Sequence, residues 1–148
     1  MKLRYVLAVL AYILPTFPLG VVWHLVTFGE AYQRLDLYRT DMIFPLGVTS
    51  MLIQGVVFAW AYPRLFSTAR DAWLRGAFGF AATFAPLALS FAVLPAAAKY
   101  QMTSVPDFLA LETGFTVVHF AVISPLIALV YRGSTVASAE GPAMLPTR

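Results

Sequence analysis

Three polar side chains are spaced to lie on one face of a helix near the end of the chain. Glu112, Thr116 and His119 stand at i, i+4 and i+7 in the otherwise apolar stretch ALETGFTVVHF. A carboxylate and an imidazole can bind a polar ligand, pass a proton or ligate a metal ion. Because ionisable groups in apolar helices usually face the bundle interior, this stripe is the first candidate site.

Other polar residues occupy apolar stretches at a similar predicted depth. His24 lies about one turn from the outer end of the first stretch, while Ser50 and Gln54 are one turn apart in the second. Glu112 lies about two turns from the outer end of its own stretch, so we expect it to meet His24. His119 is predicted to lie roughly 10 Å deeper than Glu112, at about 1.5 Å per residue.

Three interpretations of this polar set stay open. In the first, the side chains only tie helices together through hydrogen bonds, which average about 0.6 kcal/mol in membranes. In the second, they line a ligand or proton site whose members are Trp23, His24, Gln54, Glu112, Thr116 and His119. In the third, His24, Glu112 and His119 ligate zinc or iron, although no HxxxH or ExxH spacing is present. No particular cofactor is indicated.

Composition shows which solvent surrounds these residues. The 148 residues are 60% hydrophobic and 11% charged, and the mean hydropathy is +0.77. Soluble domains contain about 25% charged residues, so lipid must be the main solvent of this chain. The chain contains no cysteine, which excludes disulfides, thiolate metal sites and thiol nucleophiles.

Two function classes find no support in the sequence. The ten Lys and Arg only slightly outnumber the seven Asp and Glu, and no basic patch interleaved with aromatic residues indicates nucleic-acid binding. No hydrolytic triad, P-loop or dinucleotide-binding loop is recognisable. A conventional enzyme is therefore not favoured.

Four stretches are long and apolar enough to cross a bilayer as helices, which takes about 20 residues each. They cover residues 5–28, 42–66, 74–99 and 105–131. Residues 1–132 are therefore predicted to form one all-α domain, an integral membrane bundle of four transmembrane helices. The small, polar and proline-containing stretch 133–148 is predicted to be a disordered cytoplasmic tail.

Small residues predict which helices approach closely. Ala77, Ala81 and Ala85 are four residues apart in the third span, and Gly47 and Gly55 lie in the second. Because small side chains let helix backbones come together in lipid, we expect a tight bundle built around the second and third spans. The same surfaces could instead dock a partner subunit.

Orientation follows from the distribution of basic residues, which are enriched on the cytoplasmic side. The predicted connections place seven of them on one side: Lys2, Arg4, Arg64, Arg70, Arg75, Arg132 and Arg148. The other side has three, namely Arg34, Arg39 and Lys99. The chain is therefore predicted to have both termini in the cytoplasm (N-in/C-in).

The segment 17–32, FPLGVVWHLVTFGEAY, resembles the F-x-L-G-x-x-W-Y-(four or five residues)-G-x-x-W opening of a bacterial family of small four-helix membrane proteins. The last span, LETGFTVVHFAVISPLIALVY, is similar to the final segment of that family, which is known only as a domain of unknown function. His24 stands where the family has tyrosine, and Tyr32 where it has tryptophan. The resemblance implies four helices and pairing of the first and last spans, and it transfers no catalytic residue.

Taken together, we expect a multi-pass protein of a bacterial-type inner (cytoplasmic) membrane. Its leading predicted function is non-enzymatic: it binds a small or lipid-like ligand in an outer-half intramembrane pocket lined by the six residues named above. One alternative is a structural or accessory subunit of a larger membrane complex, docked through the small-residue face of the third span. A second is a dimeric proton-coupled transporter. Besides the lipid bilayer, partners could include a second copy of the chain or a larger membrane complex.

Overall fold

Four long apolar helices make up the protein. The computed structural model describes residues 2–39 and 41–134, and within those ranges every regular element is helical. The helices long and apolar enough to span a membrane are Lys2–Thr27, Phe44–Leu65, Trp73–Lys99 and Val105–Tyr131. These bounds differ from the predicted spans by at most three residues, which confirms the all-α bundle of four apolar helices. The predicted tail from residue 135 onward lies outside the described residues.

Two of the four spans contain a short π-helical segment. The α-helices are α1 (Lys2–Val21), α2 (Gly29–Arg34), α3 (Phe44–Leu65), α4 (Trp73–Ala88), α5 (Leu94–Lys99) and α6 (Val105–Tyr131). The first π segment, Val22–Thr27, continues α1, and the second π segment, Leu89–Val93, joins α4 to α5. π-Helical turns are rare in proteins, and those that do occur are often located at functional sites. Pro18 and Pro86 lie about one turn before these segments.

The last helix, α6, packs against both α1 and α4, and α1 also packs against α3. Pairing of the first and last spans is therefore confirmed. The prediction of a tight bundle built around the second and third spans is wrong, because the main packing partner of α4 is α6 and that of α3 is α1. α3 and α4 meet through aromatic rings at one end, with ring centroids 4.9 Å apart for Phe58 and Phe84 and 5.1 Å apart for Phe58 and Phe80.

Two small residues at the start of α4 are buried against other parts of the chain. A Cβ atom at Gly76 would lie 2.4 Å from the Tyr62 hydroxyl and 2.6 Å from the Ser67 carbonyl oxygen. Ala77 is buried on the side of α4 that faces α6. Gly76 and Ala77 therefore let α4 approach its neighbours within the chain, while Ala81 and Ala85 are half-buried and line a groove between α4 and α6.

Two sets of contacts fix the ends of the bundle. At the end that carries α2, called the α2 end, the Thr103 hydroxyl donates to the Arg34 carbonyl oxygen at 2.6 Å. At the opposite end, called the termini end, the Gly133 N–H donates to the Thr68 carbonyl oxygen at 2.7 Å. Gly133 has φ +69°, a left-handed conformation that favours glycine. The C-terminal end of α6 is thereby attached to the loop between α3 and α4.

Candidate functional site

His24, in the first π segment, meets Glu112 of α6, as their depths predict. The distance from His24 Nε2 to Glu112 Oε1 is 3.4 Å. The other ring nitrogen, Nδ1, lies 2.9 Å from the carbonyl oxygen of Gly20, which can only accept a hydrogen bond, so Nδ1 carries a proton. The free edge of the imidazole therefore faces the carboxyl group, within ion-pair distance.

Tyr32 of α2 completes this first cluster. Its hydroxyl donates to Glu112 Oε1 at 2.9 Å, and its ring stacks on Tyr38 with centroids 5.2 Å apart. Burial, followed by the nearby charge of Glu112, raises the pKa of Tyr32 above its ordinary value, so the phenol stays protonated and can donate. Sequence reasoning missed Tyr32 as a site residue. The signal available was its place in the motif of residues 17–32.

His119 anchors a second cluster, deeper in the bundle. Its Nε2 lies 2.9 Å from the Thr16 hydroxyl oxygen, and that hydroxyl donates its single proton to the Tyr12 carbonyl oxygen at 2.6 Å. Nε2 must therefore donate to Thr16. Because the ring is buried and has no carboxylate partner among the described residues, the neutral tautomer with Nδ1 as an acceptor is favoured. The Phe115 ring stacks on the imidazole at an interplanar angle of 11°.

The second cluster continues across to α3. The Tyr12 hydroxyl donates to the side-chain oxygen of Gln54, and the Gln54 amide nitrogen donates to Ser50 at 3.1 Å. Tyr12 and Thr16 were both missed from sequence. Together with Gly20 and His24 they recur every four residues along the first span, a spacing that inspection could have found.

A cavity of about 390 Å³ lies between the two clusters and is walled by all four spans. Its polar wall comprises Tyr12, Thr16, Gln54, Glu112, Thr116 and His119. Phe17 of α1, Gly47 of α3 and Ala92 of the second π segment line the cavity and are themselves exposed. The cavity therefore opens sideways, where α3 and the second π segment stand apart.

The structure brings four of the six predicted site residues to this cavity and leaves two outside it. Gln54, Glu112, Thr116 and His119 line it. His24 contacts it only through Glu112 and lines a neighbouring groove with Tyr38 and Arg39. Trp23 packs on α6 instead, because Gly114 has no side chain there: a Cβ atom at Gly114 would lie 3.3 Å from the indole ring.

The predicted metal ligands do not come together. His24 and Glu112 are neighbours, but His119 belongs to the second cluster and bonds to Thr16. Across residues 2–39 and 41–134, no group of three His, Cys, Asp or Glu side chains is placed to hold a metal ion. The three predicted ligands therefore do not form one metal site.

Comparisons of the chain with protein-family models, with curated proteins and with solved structures find no match. What the protein does must therefore be argued from the cavity and its two polar clusters.

Proposed function

We propose that the protein is a non-enzymatic membrane protein that holds a small, lipid-like amphiphile in the cavity between its helices. The observation that carries this proposal is a 390 Å³ space with a polar wall at one side and an opening at the lateral surface of the bundle. Ligand sites in proteins are commonly apolar cavities with a few convergent polar groups. We further propose that it lies in a bacterial-type inner membrane and, from the distribution of its basic residues, that both termini are cytoplasmic.

A purely structural role for the polar set finds less support. Hydrogen bonds that only tie helices together would use the available polar atoms, because unsatisfied polar groups are unfavourable in a membrane. Among the described residues, however, Glu112 Oε2 and His119 Nδ1 have no hydrogen-bond partner, and both side chains line the cavity. These atoms are free to contact a ligand.

The two alternatives from sequence gain nothing from the structure. The small-residue face that would dock a partner subunit is Ala77, Ala81 and Ala85. Ala77 is buried within the chain, and Ala81 and Ala85 are half-buried beside α6. The transporter alternative requires a pathway formed between two copies, whereas the cavity lies within one copy. The binding role is therefore preferred.

Native mass spectrometry of the protein extracted in a mild detergent tests the binding role. We expect the wild-type chain to carry a discrete bound mass, and Gly47→Phe to lose it. A Cβ atom at Gly47 meets nothing within 4 Å, so the ring has room to fill the mouth of the cavity without a backbone clash. Ala82→Phe, at an exposed position of α4 away from the cavity, is the matched control and should keep the mass.

A bare wild-type protein would contradict the binding role. So would a bound mass that persists unchanged in Gly47→Phe.

A further inference from the structure

The polar wall of the cavity has already used most of its own hydrogen-bond donors. The Tyr12 hydroxyl donates to Gln54, the Thr16 hydroxyl to the Tyr12 carbonyl, and the Thr116 hydroxyl to the Glu112 carbonyl at 2.8 Å. Each hydroxyl has a single proton to donate. These groups therefore have no donor left for a ligand while the network is intact.

Acceptors, by contrast, remain available. Within residues 2–39 and 41–134, Glu112 Oε2 and His119 Nδ1 are unpartnered, and the Thr116 hydroxyl oxygen keeps lone pairs. The remaining donor that we find on the described wall is the second N–H of the Gln54 amide, because the first is given to Ser50. A complementary ligand must therefore bring donors.

The charge of the wall limits the ligand further. The Glu112 carboxyl already faces the His24 ring, with Nε2 3.4 Å from Oε1, and accepts from Tyr32. Among the described residues His119 is buried without a carboxylate partner, which favours its neutral ring. No Lys or Arg is among the described residues that line the cavity. An anionic head would therefore find no cationic side chain on the wall, and a cationic head would compete with His24 and Tyr32 for Glu112. In either case the loss of hydration is unfavourable in a medium of low dielectric constant.

Building on the proposed function, we infer that the ligand has an uncharged, hydroxyl-bearing head and an apolar body. Its hydroxyl donates to Glu112 Oε2 or His119 Nδ1 and accepts from Gln54. Two chemical sources share this head, an aliphatic lipid alcohol and an alkyl-substituted phenol. A cavity of about 150 Å³ is enough for a benzene ring, so 390 Å³ admits either head together with the start of a chain. The rest of the chain leaves through the lateral opening.

Two matched pairs of probes test this inference on the full-length protein in phosphatidylcholine nanodiscs. 4-Dodecylphenol is compared with 4-dodecylanisole, and dodecanol with methyl dodecyl ether, because each pair differs only in replacement of the O–H proton by a methyl group. Occupancy is read by native mass spectrometry as a function of probe concentration. We expect the hydroxyl form of at least one pair to bind about tenfold more tightly than its ether, the effect of one or two hydrogen bonds.

Two variants attribute that preference to the wall. His119→Phe removes an acceptor, and Glu112→Gln replaces a carboxyl oxygen with a donor of similar size, so each should reduce the preference for hydroxyl over ether toward parity. Glu112→Gln keeps an oxygen that can accept from Tyr32, which covers the case in which His119→Phe fails to fold. Thr113→Val, at an exposed position of the same helix, should leave the preference unchanged.

The outcomes separate the two proposals. Tighter binding within one pair identifies the source as the phenol or the alcohol, and supports the inference in either case. Ethers that bind as well as hydroxyls, or tighter binding of dodecylammonium or dodecanoate, would overturn the inference and leave the binding role intact. If no probe binds and the wild-type protein also carries no mass, both proposals are rejected.

Discussion

At the scale of single residues, the cluster of His24, Glu112 and Tyr32 explains how a glutamate is accommodated in an apolar helix. Each partner has the complementary donor or acceptor: Gly20 accepts from His24, and Tyr32 donates to Glu112. A charge placed alone in the bilayer is unfavourable, but here the carboxyl group faces an imidazole and accepts from a phenol. The stability of the cluster should therefore depend on keeping its partners together.

Glu112→Leu should lower the free energy of unfolding by about 1–3 kcal/mol, because the fully buried Tyr32 hydroxyl loses its acceptor. Adding Tyr32→Phe removes the orphaned hydroxyl, so the double variant should be more stable than Glu112→Leu alone. Unfolding in mixed detergent micelles, followed by circular dichroism, measures both. Losses that simply add in the double variant would show that the hydrogen bond does not stabilise the protein.

Gly76→Ala should destabilise the protein by about 1–3 kcal/mol through overpacking. The new Cβ atom would lie 2.6 Å from the backbone oxygen of Ser67, which cannot rotate away as a side chain can. Gly47→Ala is the matched control in α3, where the added Cβ meets nothing within 4 Å. It should be neutral or slightly stabilising, since alanine favours a helix over glycine. Equal melting midpoints for the two variants would refute this account.

At the scale of elements, the sequence was informative about the spans and poorly informative about their neighbours. The four spans could be predicted to within three residues because bilayer thickness and hydropathy together determine them. The helices that pack against α4 could not be predicted. Alanines at four-residue spacing indicate that a helix can approach closely, but they do not indicate which helix it is. The π segments were also missed, since the apolar pattern of Leu89–Val93 is equally compatible with an α-helix.

Only part of the candidate site could be predicted, because sequence shows which residues are polar but not which helices pack together. Glu112, Thr116 and His119 stand out as polar residues in an apolar span. Tyr12 does not stand out in this way, because a tyrosine in a membrane helix is more often interpreted as an apolar ring. Its role depends on Gln54, 42 residues away, whose side chain accepts its hydrogen bond. Such a pairing needs the packed helices to be known.

The short helix α2 should depend on the loop before α6. The Thr103 hydroxyl donates to the Arg34 carbonyl, and the Thr103 N–H donates to the Leu35 carbonyl at 3.2 Å. Thr103→Val keeps the shape and the backbone bond but removes the hydroxyl, so amide hydrogen exchange across Gly29–Arg34 should become faster. Thr113→Val, on the exposed side of α6, is the control. Unchanged exchange in Thr103→Val would mean that α2 is held by other contacts.

At the scale of the whole molecule, the orientation in the membrane is open to a direct experiment. The chain has no cysteine, so every introduced cysteine is the single reactive thiol of its variant. Gln101 is exposed at the α2 end, and Ala69 is exposed at the termini end. With both termini cytoplasmic, an impermeant maleimide added to intact cells should label Gln101→Cys but label Ala69→Cys only after permeabilisation. The reverse pattern would overturn the proposed orientation.

The gap between α3 and the second π segment also determines how the cavity can be filled. An amphiphile that enters from the side comes out of the bilayer, so its occupancy follows its mole fraction among the surrounding lipids and not its concentration in water. Adding inert phospholipid at a fixed total amount of ligand should then empty the cavity by dilution. Membrane composition alone would thus set how much of the protein is loaded, without any change in the chain.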